Sequence, residues 1–134
     1  MIKNKFRGIY VDAGVWVYGD LLSNERGTFI VKDFEVKNDR GYGVKQLVSH
    51  YYEVQPESVG QYIGLKDKNG KEIYEGDIVD CLREEIGYVL NRAGTYGIAT
   101  AFGFYPIIDL DGGMEVKGNV YESPELLGVS DASN

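Results

Sequence analysis

Residues Gln61 to Val79 constrain this chain more than any other stretch. Two apolar sets flank Asp67-Lys68-Asn69-Gly70, and a second turn follows at Glu75-Gly76-Asp77. Asn69 and Gly70 tolerate the positive φ of a tight turn, and the residues around them are β-branched or aromatic. The stretch therefore reads as a β-hairpin that feeds a further strand beginning at Asp77.

Composition extends that reading to the whole chain. Eighteen glycines, three prolines and eleven tyrosines in 134 residues suit short strands and tight turns better than helices. A first hairpin is expected over Phe6 to Val11 and Val15 to Gly19, turning at Asp12-Ala13-Gly14. Alternation puts Trp16 and Tyr18 on one face and Val15 and Val17 on the other. Thr28 to Lys32 is expected as a third strand, followed by a polar, glycine-rich loop over Asn38 to Gly43. Val44 to Val54 fits a helix or a strand by spacing, and a strand is favoured from Ser49 onward because Tyr51-Tyr52-Glu53-Val54 is β-rich.

Beyond the central hairpin, Asp77 to Arg83 and Ile86 to Asn91 read as strands around the turn Glu84-Glu85. Gly97 to Phe104, Pro106 to Leu110 and Met114 to Tyr121 complete the set, with Asp111-Gly112-Gly113 as a hairpin turn. Ser123-Pro124-Glu125-Leu126-Leu127 is a compact helical signal, with Ser123 as N-cap and Pro124 at the first helical position. The expected architecture is all-β: an N-terminal β-hairpin layer over residues 1–57, a small closed barrel or roll over 58–128 with one short helical turn, and a frayed tail over 129–134.

Charge and cysteine usage bound the function. The net charge of −7 is uneven: residues 1–74 hold 11 Lys+Arg against 10 Asp+Glu, and residues 75–134 hold 3 against 11. The acidic half repels phosphate, which disfavours nucleic acid as a partner. One cysteine, Cys81, makes no internal disulfide and supplies no zinc set, so a reducing, cytoplasmic location is expected. The N-terminus has no apolar signal region, and no run is long enough for a membrane span.

Asp67-Lys68-Asn69-Gly70 begins like a calcium loop. Lys71 then occupies the fifth position, and Ile78 stands where the bidentate glutamate belongs, so the EF-hand reading fails. Gly41-Tyr42-Gly43 is followed by Gln46 instead of the third glycine of a dinucleotide fingerprint. His50 beside Ser49 has no sequence-level sign of a triad, and Cys81 reads as a small buried residue. Glu75 and Asp77 could project from one strand face as a hydrolytic or metal-binding pair, but Gly76 between them points to a turn in which they hydrogen-bond backbone. Asp109 and Asp111 receive the same reading. The aromatic set Trp16, Tyr18, Tyr51, Tyr52, Tyr62, Tyr74, Tyr88, Tyr96 and Tyr105 lacks interleaved cations for base stacking, and packing or a protein interface explains it better.

With those residues in view, the chain resembles the YopX family of small phage and prophage proteins over nearly its full length. Phe6-Arg7-Gly8 through Trp16-Val17-Tyr18-Gly19-Asp20-Leu21 looks like the family's opening. Val59-Gly60-Gln61-Tyr62 to Val79 is similar to its central signature, with Ser58 where a threonine is expected. Gly118-Asn119-Val120-Tyr121-Glu122-Ser123-Pro124-Glu125-Leu126-Leu127 is similar to its ending. The resemblance implies an all-β fold whose C-terminal part is SH3-like, in a protein of phage origin without an assigned biochemical function, and it brings no catalytic residues.

Three readings follow. The first is a non-enzymatic interaction module without cofactor or metal, working through a protein partner or a second copy, with the interface around Trp16 and Tyr18. The second is a nucleic-acid-associated barrel using Lys66, Lys68 and Lys71 on the hairpin tip. The third is a divalent-metal activity at Glu75 and Asp77.

Overall fold

The computed structural model describes residues 5–38, 45–81, 85–107 and 113–128, with the backbone alone at 33–38 and 45–49. Eleven β-strands are seen among these residues, and all their pairings are antiparallel. The chain divides into two compact units, Met1–Gln61 and Tyr62–Asn134.

In the first unit β1 (Phe6–Ile9), β2 (Trp16–Asn24), β3 (Gly27–Asn38) and β4 (Lys45–Glu53) form a meander, each strand pairing with the next. The start of β5 (Gly60–Lys66) pairs with the free side of β1, Arg7 opposite Gly60. The ends of β1 and β4 are tied together by a Tyr10–Val54 bridge, and the Val11 amide donates to the Glu53 carbonyl at 3.0 Å. Ser58, buried in a 3₁₀ turn at Pro56–Ser58, accepts the Ile9 amide on Oγ at 2.8 Å and donates to the Gln55 carbonyl at 2.7 Å. Inside sit Val17, Ile30 and Val54, with Phe6, Tyr10, Tyr52 and Val59 packed around them. Each such buried aliphatic side chain contributes about 1.5–3 kcal/mol relative to exposure.

The second unit takes the remainder of β5, which pairs with β6 (Glu72–Tyr74), and a five-stranded sheet. That sheet comprises β7 (Asp77–Asp80), β8 (Ile86–Arg92), β9 (Thr95–Thr100), β10 (Gly103–Pro106) and β11 (Glu115–Asn119), in the order β10-β9-β8-β7-β11. Ile73, Val79, Val89, Ile98 and Met114 are its buried core. A second 3₁₀ turn, Pro124–Leu127, follows β11 and ends at Gly128 in the left-handed conformation.

The all-β expectation holds, with several corrections. Among the described residues no closed barrel forms: β10 and β11 are the two edges of an open sheet. Gly97 to Phe104 is not one strand, because the chain reverses at Ala101-Phe102 and Thr100 Oγ1 accepts the Phe102 amide at 3.0 Å. Of the strand expected over Pro106 to Leu110, residues 108–110 lie outside the described residues, and Pro106 ends the strand before it. It closes edge strand β10, where a missing N–H leaves no partner unsatisfied. β3 runs past Lys32 to Asn38 through a register shift, and β4 begins at Lys45, ahead of Ser49. Ser123 makes no side-chain cap. Asn119 organises that corner instead, its Oδ1 accepting the amides of Tyr121 at 3.0 Å and Glu122 at 2.9 Å. The expected loop residues 39–43, Glu84, Asp109, Asp111-Gly112 and the tail 129–134 lie outside the described residues.

Candidate interaction surface

The antiparallel register sorts the first unit's side chains into two faces. Gly8 lies opposite Val17, Leu21 opposite Ile30 and Ile30 opposite Tyr52, so that face is the core. The alternate positions place Arg7 opposite Tyr18, Leu22 opposite Phe29, and Val31 between Asp20 and Tyr51. The second face therefore carries Trp16, Tyr18, Leu22, Phe29, Val31 and Tyr51. Tyr51 is 65% exposed, Leu22 49% and Tyr18 43%. Phe29 and Tyr51 meet edge to face, ring centroids 6.1 Å apart. An exposed run of large apolar and aromatic side chains on one sheet face is characteristic of a contact surface.

The sequence-predicted residues are distributed unevenly over this geometry. Tyr18 lies on the exposed face. Trp16 belongs to the same face but is half-buried, because the guanidinium of the buried Arg7 stacks over its ring at 4.5 Å from the centroid. Leu22 and Phe29 were not singled out from the sequence. The signal was the continuing alternation of Trp16-Val17-Tyr18-Gly19-Asp20-Leu21-Leu22, read together with the β2–β3 register.

In the second unit, Lys66 ends β5 and Lys68 and Lys71 follow in the β5–β6 connection, all three exposed and with acidic residues among them. Lys68 Nζ pairs with Glu115 Oε1 at 3.4 Å, Lys117 Nζ approaches the same oxygen at 3.2 Å, and Lys66 stands in register with Glu72. The Lys117 hydrogen bond and charge, reinforced by Lys68, hold the Glu115 carboxyl below the ordinary range. Asp67 is the centre of this turn. Its Oδ1 accepts the amides of Asn69 at 2.8 Å and Lys71 at 2.9 Å, and its Oδ2 accepts Val116 at 3.0 Å. Burial alone pushes this carboxyl upward. The Val116, Lys71 and Asn69 amides and the Lys71 charge outweigh that and hold it below its usual value.

Glu75 and Asp77 flank Gly76 at the next corner. Asp77 is 1% exposed, and its Oδ2 accepts the Tyr74 amide at 2.8 Å. That places one of the pair in the turn-holding role its spacing suggested. Among the described residues, no group of three or more His, Cys, Asp or Glu is disposed to hold a metal ion. His50 is exposed in β4 opposite Lys32, while the Ser49 side chain lies outside the description. Cys81 is half-buried, and burial, followed by the charges of Glu85 and Asp80, pushes its thiol above the usual value.

A groove of about 360 Å³ lies on the second unit's sheet, lined by Ile86, Tyr88, Ala99, Thr100, Ala101 and Leu127. The register explains it: Tyr88 and Ala99 are cross-strand partners on the face opposite the Val89–Ile98 pair of the core. No helix among the described residues is long and apolar enough to cross a membrane.

Comparisons with known proteins bear on the whole chain. The model of the YopX protein family matches residues 5–128. The crystal structure of protein EF1440 from Enterococcus faecalis is similar at a TM-score of 0.67 and 26% identity, covering 95% of this chain and 99% of that one. No curated protein matches.

Proposed function

The chain belongs to the YopX family, and from that premise we propose that it is a non-enzymatic interaction module whose partner is a second copy of itself. The observation that carries this reading is the exposed face of the first unit, where Tyr18, Leu22, Phe29, Val31 and Tyr51 fall into cross-strand register. A two-fold pairing sets one such patch against its own copy, and aromatic side chains are enriched at contacts of this kind. The surface chemistry elsewhere supports contact over catalysis. Asp67 and Asp77 spend carboxylate oxygens on backbone amides, and Glu115 pairs with Lys68 and Lys117.

The phage or prophage origin, the cytoplasmic setting and the SH3-like character of the second unit are parts of the same proposal. They rest on the family resemblance and the reducing-compartment cysteine count. Sedimentation velocity on wild type and on Tyr18→Lys/Tyr51→Lys tests the surface. The reading expects the variant to sediment as one folded chain where wild type sediments faster. Equal sedimentation of the two folded proteins would refute it.

A further inference from the structure

Asn69 is the one asparagine of the chain followed directly by glycine, and both residues are exposed in the β5–β6 turn. A glycine amide has no side chain to hinder its attack on the preceding carboxamide. Three contacts oppose that attack here. The Gly70 amide donates to the Asp67 carbonyl at 3.0 Å, the Asn69 amide donates to Asp67 Oδ1 at 2.8 Å, and Asn69 Nδ2 donates to Glu115 Oε2 at 3.4 Å.

We propose that Asn69–Gly70 is a self-modifying site, deamidating without an enzyme at a rate set by opening of the Asp67 turn. The Gly70 nitrogen attacks Asn69 Cγ, a C–N bond forms, and the carboxamide C–N bond breaks. Ammonia leaves, carrying the proton lost from the Gly70 amide. The resulting five-membered succinimide is opened by water at either carbonyl, giving aspartate or isoaspartate with no change in oxidation state. The product replaces a donor to Glu115 by a second carboxylate, so a tie between the turn and β11 becomes like-charge repulsion. This site is independent of the first unit's apolar face.

The test follows conversion by mass spectrometry of the 58–72 peptide, with isoaspartate detected by enzymatic methylation, after ageing the full chain in mildly alkaline buffer. Folded wild type is expected to convert at Asn69, at a rate lower than the urea-unfolded chain by about tenfold or more, as expected from several hydrogen bonds that must open. Asp67→Ala is expected to raise the folded rate. Since that variant loses three backbone ties, Glu115→Ala, which keeps all three and removes the Asn69 side-chain acceptor together with the Lys68 and Lys117 ion pairs, is measured beside it and should also accelerate conversion. Equal folded and unfolded rates, or no conversion at Asn69 in the unfolded chain, would overturn the proposal. A Glu115→Ala rate no higher than wild type would overturn the part assigned to Glu115.

Discussion

Asp67 accepts the amide of Val116, 49 residues further along the chain, at 3.0 Å. One carboxylate thereby closes its own turn and fastens β11 to it, with Lys68 donating from its backbone to the Met114 carbonyl at 2.9 Å alongside. Asp67→Asn presents an NH₂ group to amides that donate, so donor faces donor at one or more of the three contacts. The expected loss is about 1–3 kcal/mol of stability, measured as a lower urea midpoint with an unchanged slope.

The pH dependence has a definite sign. Asp67 and Glu115 both have carboxyls held below their ordinary values in the folded chain. Their contribution to stability is complete above the unfolded-state value of a carboxylate, and it is lost as the pH falls through the depressed folded value. Urea midpoints measured through the acid range should fall, and Asp67→Asn should flatten that dependence. A midpoint that rises on acidification would contradict this account.

Gly87 lies opposite Thr100, and a Cβ added there would stand 2.4 Å from the Ala99 carbonyl oxygen and 2.7 Å from Ile98 Cγ2. The backbone oxygen cannot swing away as a flexible side chain does. Gly87→Ala is expected to cost about 1–3 kcal/mol by overpacking, read from thermal or urea unfolding.

Burial and the neighbouring Glu85 and Asp80 charges raise the Cys81 thiol above its usual value. The thiolate is the reactive form, so iodoacetamide should modify Cys81 more slowly in the folded protein than in urea at neutral pH. Faster modification of the folded protein would mean an activated cysteine.

Strand identities were legible wherever turn chemistry stood beside β-branched residues. Asp67-Lys68-Asn69-Gly70 and Asp12-Ala13-Gly14 fall between strands as expected, and Asp77 holds its corner as its neighbour Gly76 suggested. Positions governed by distant partners were not legible. Nothing near Asp67 in the sequence announces Val116. Nothing near Trp16 announces that Arg7 covers its ring, because cross-strand register decides both. The reversal at Ala101-Phe102 escaped because neither residue is a usual turn former; Phe102 is 78% exposed there. The exposed apolar face was half visible: alternation marked Tyr18, whereas Leu22, Phe29 and Tyr51 join it only once β2, β3 and β4 are aligned.

Light scattering across a dilution series of the purified full chain measures the self-association claim most directly. A two-fold contact through Tyr18, Leu22, Phe29, Val31 and Tyr51 predicts twice the 15.0 kDa mass of one chain at micromolar concentration, falling toward a single chain on dilution. A mass of one chain throughout the series would contradict it.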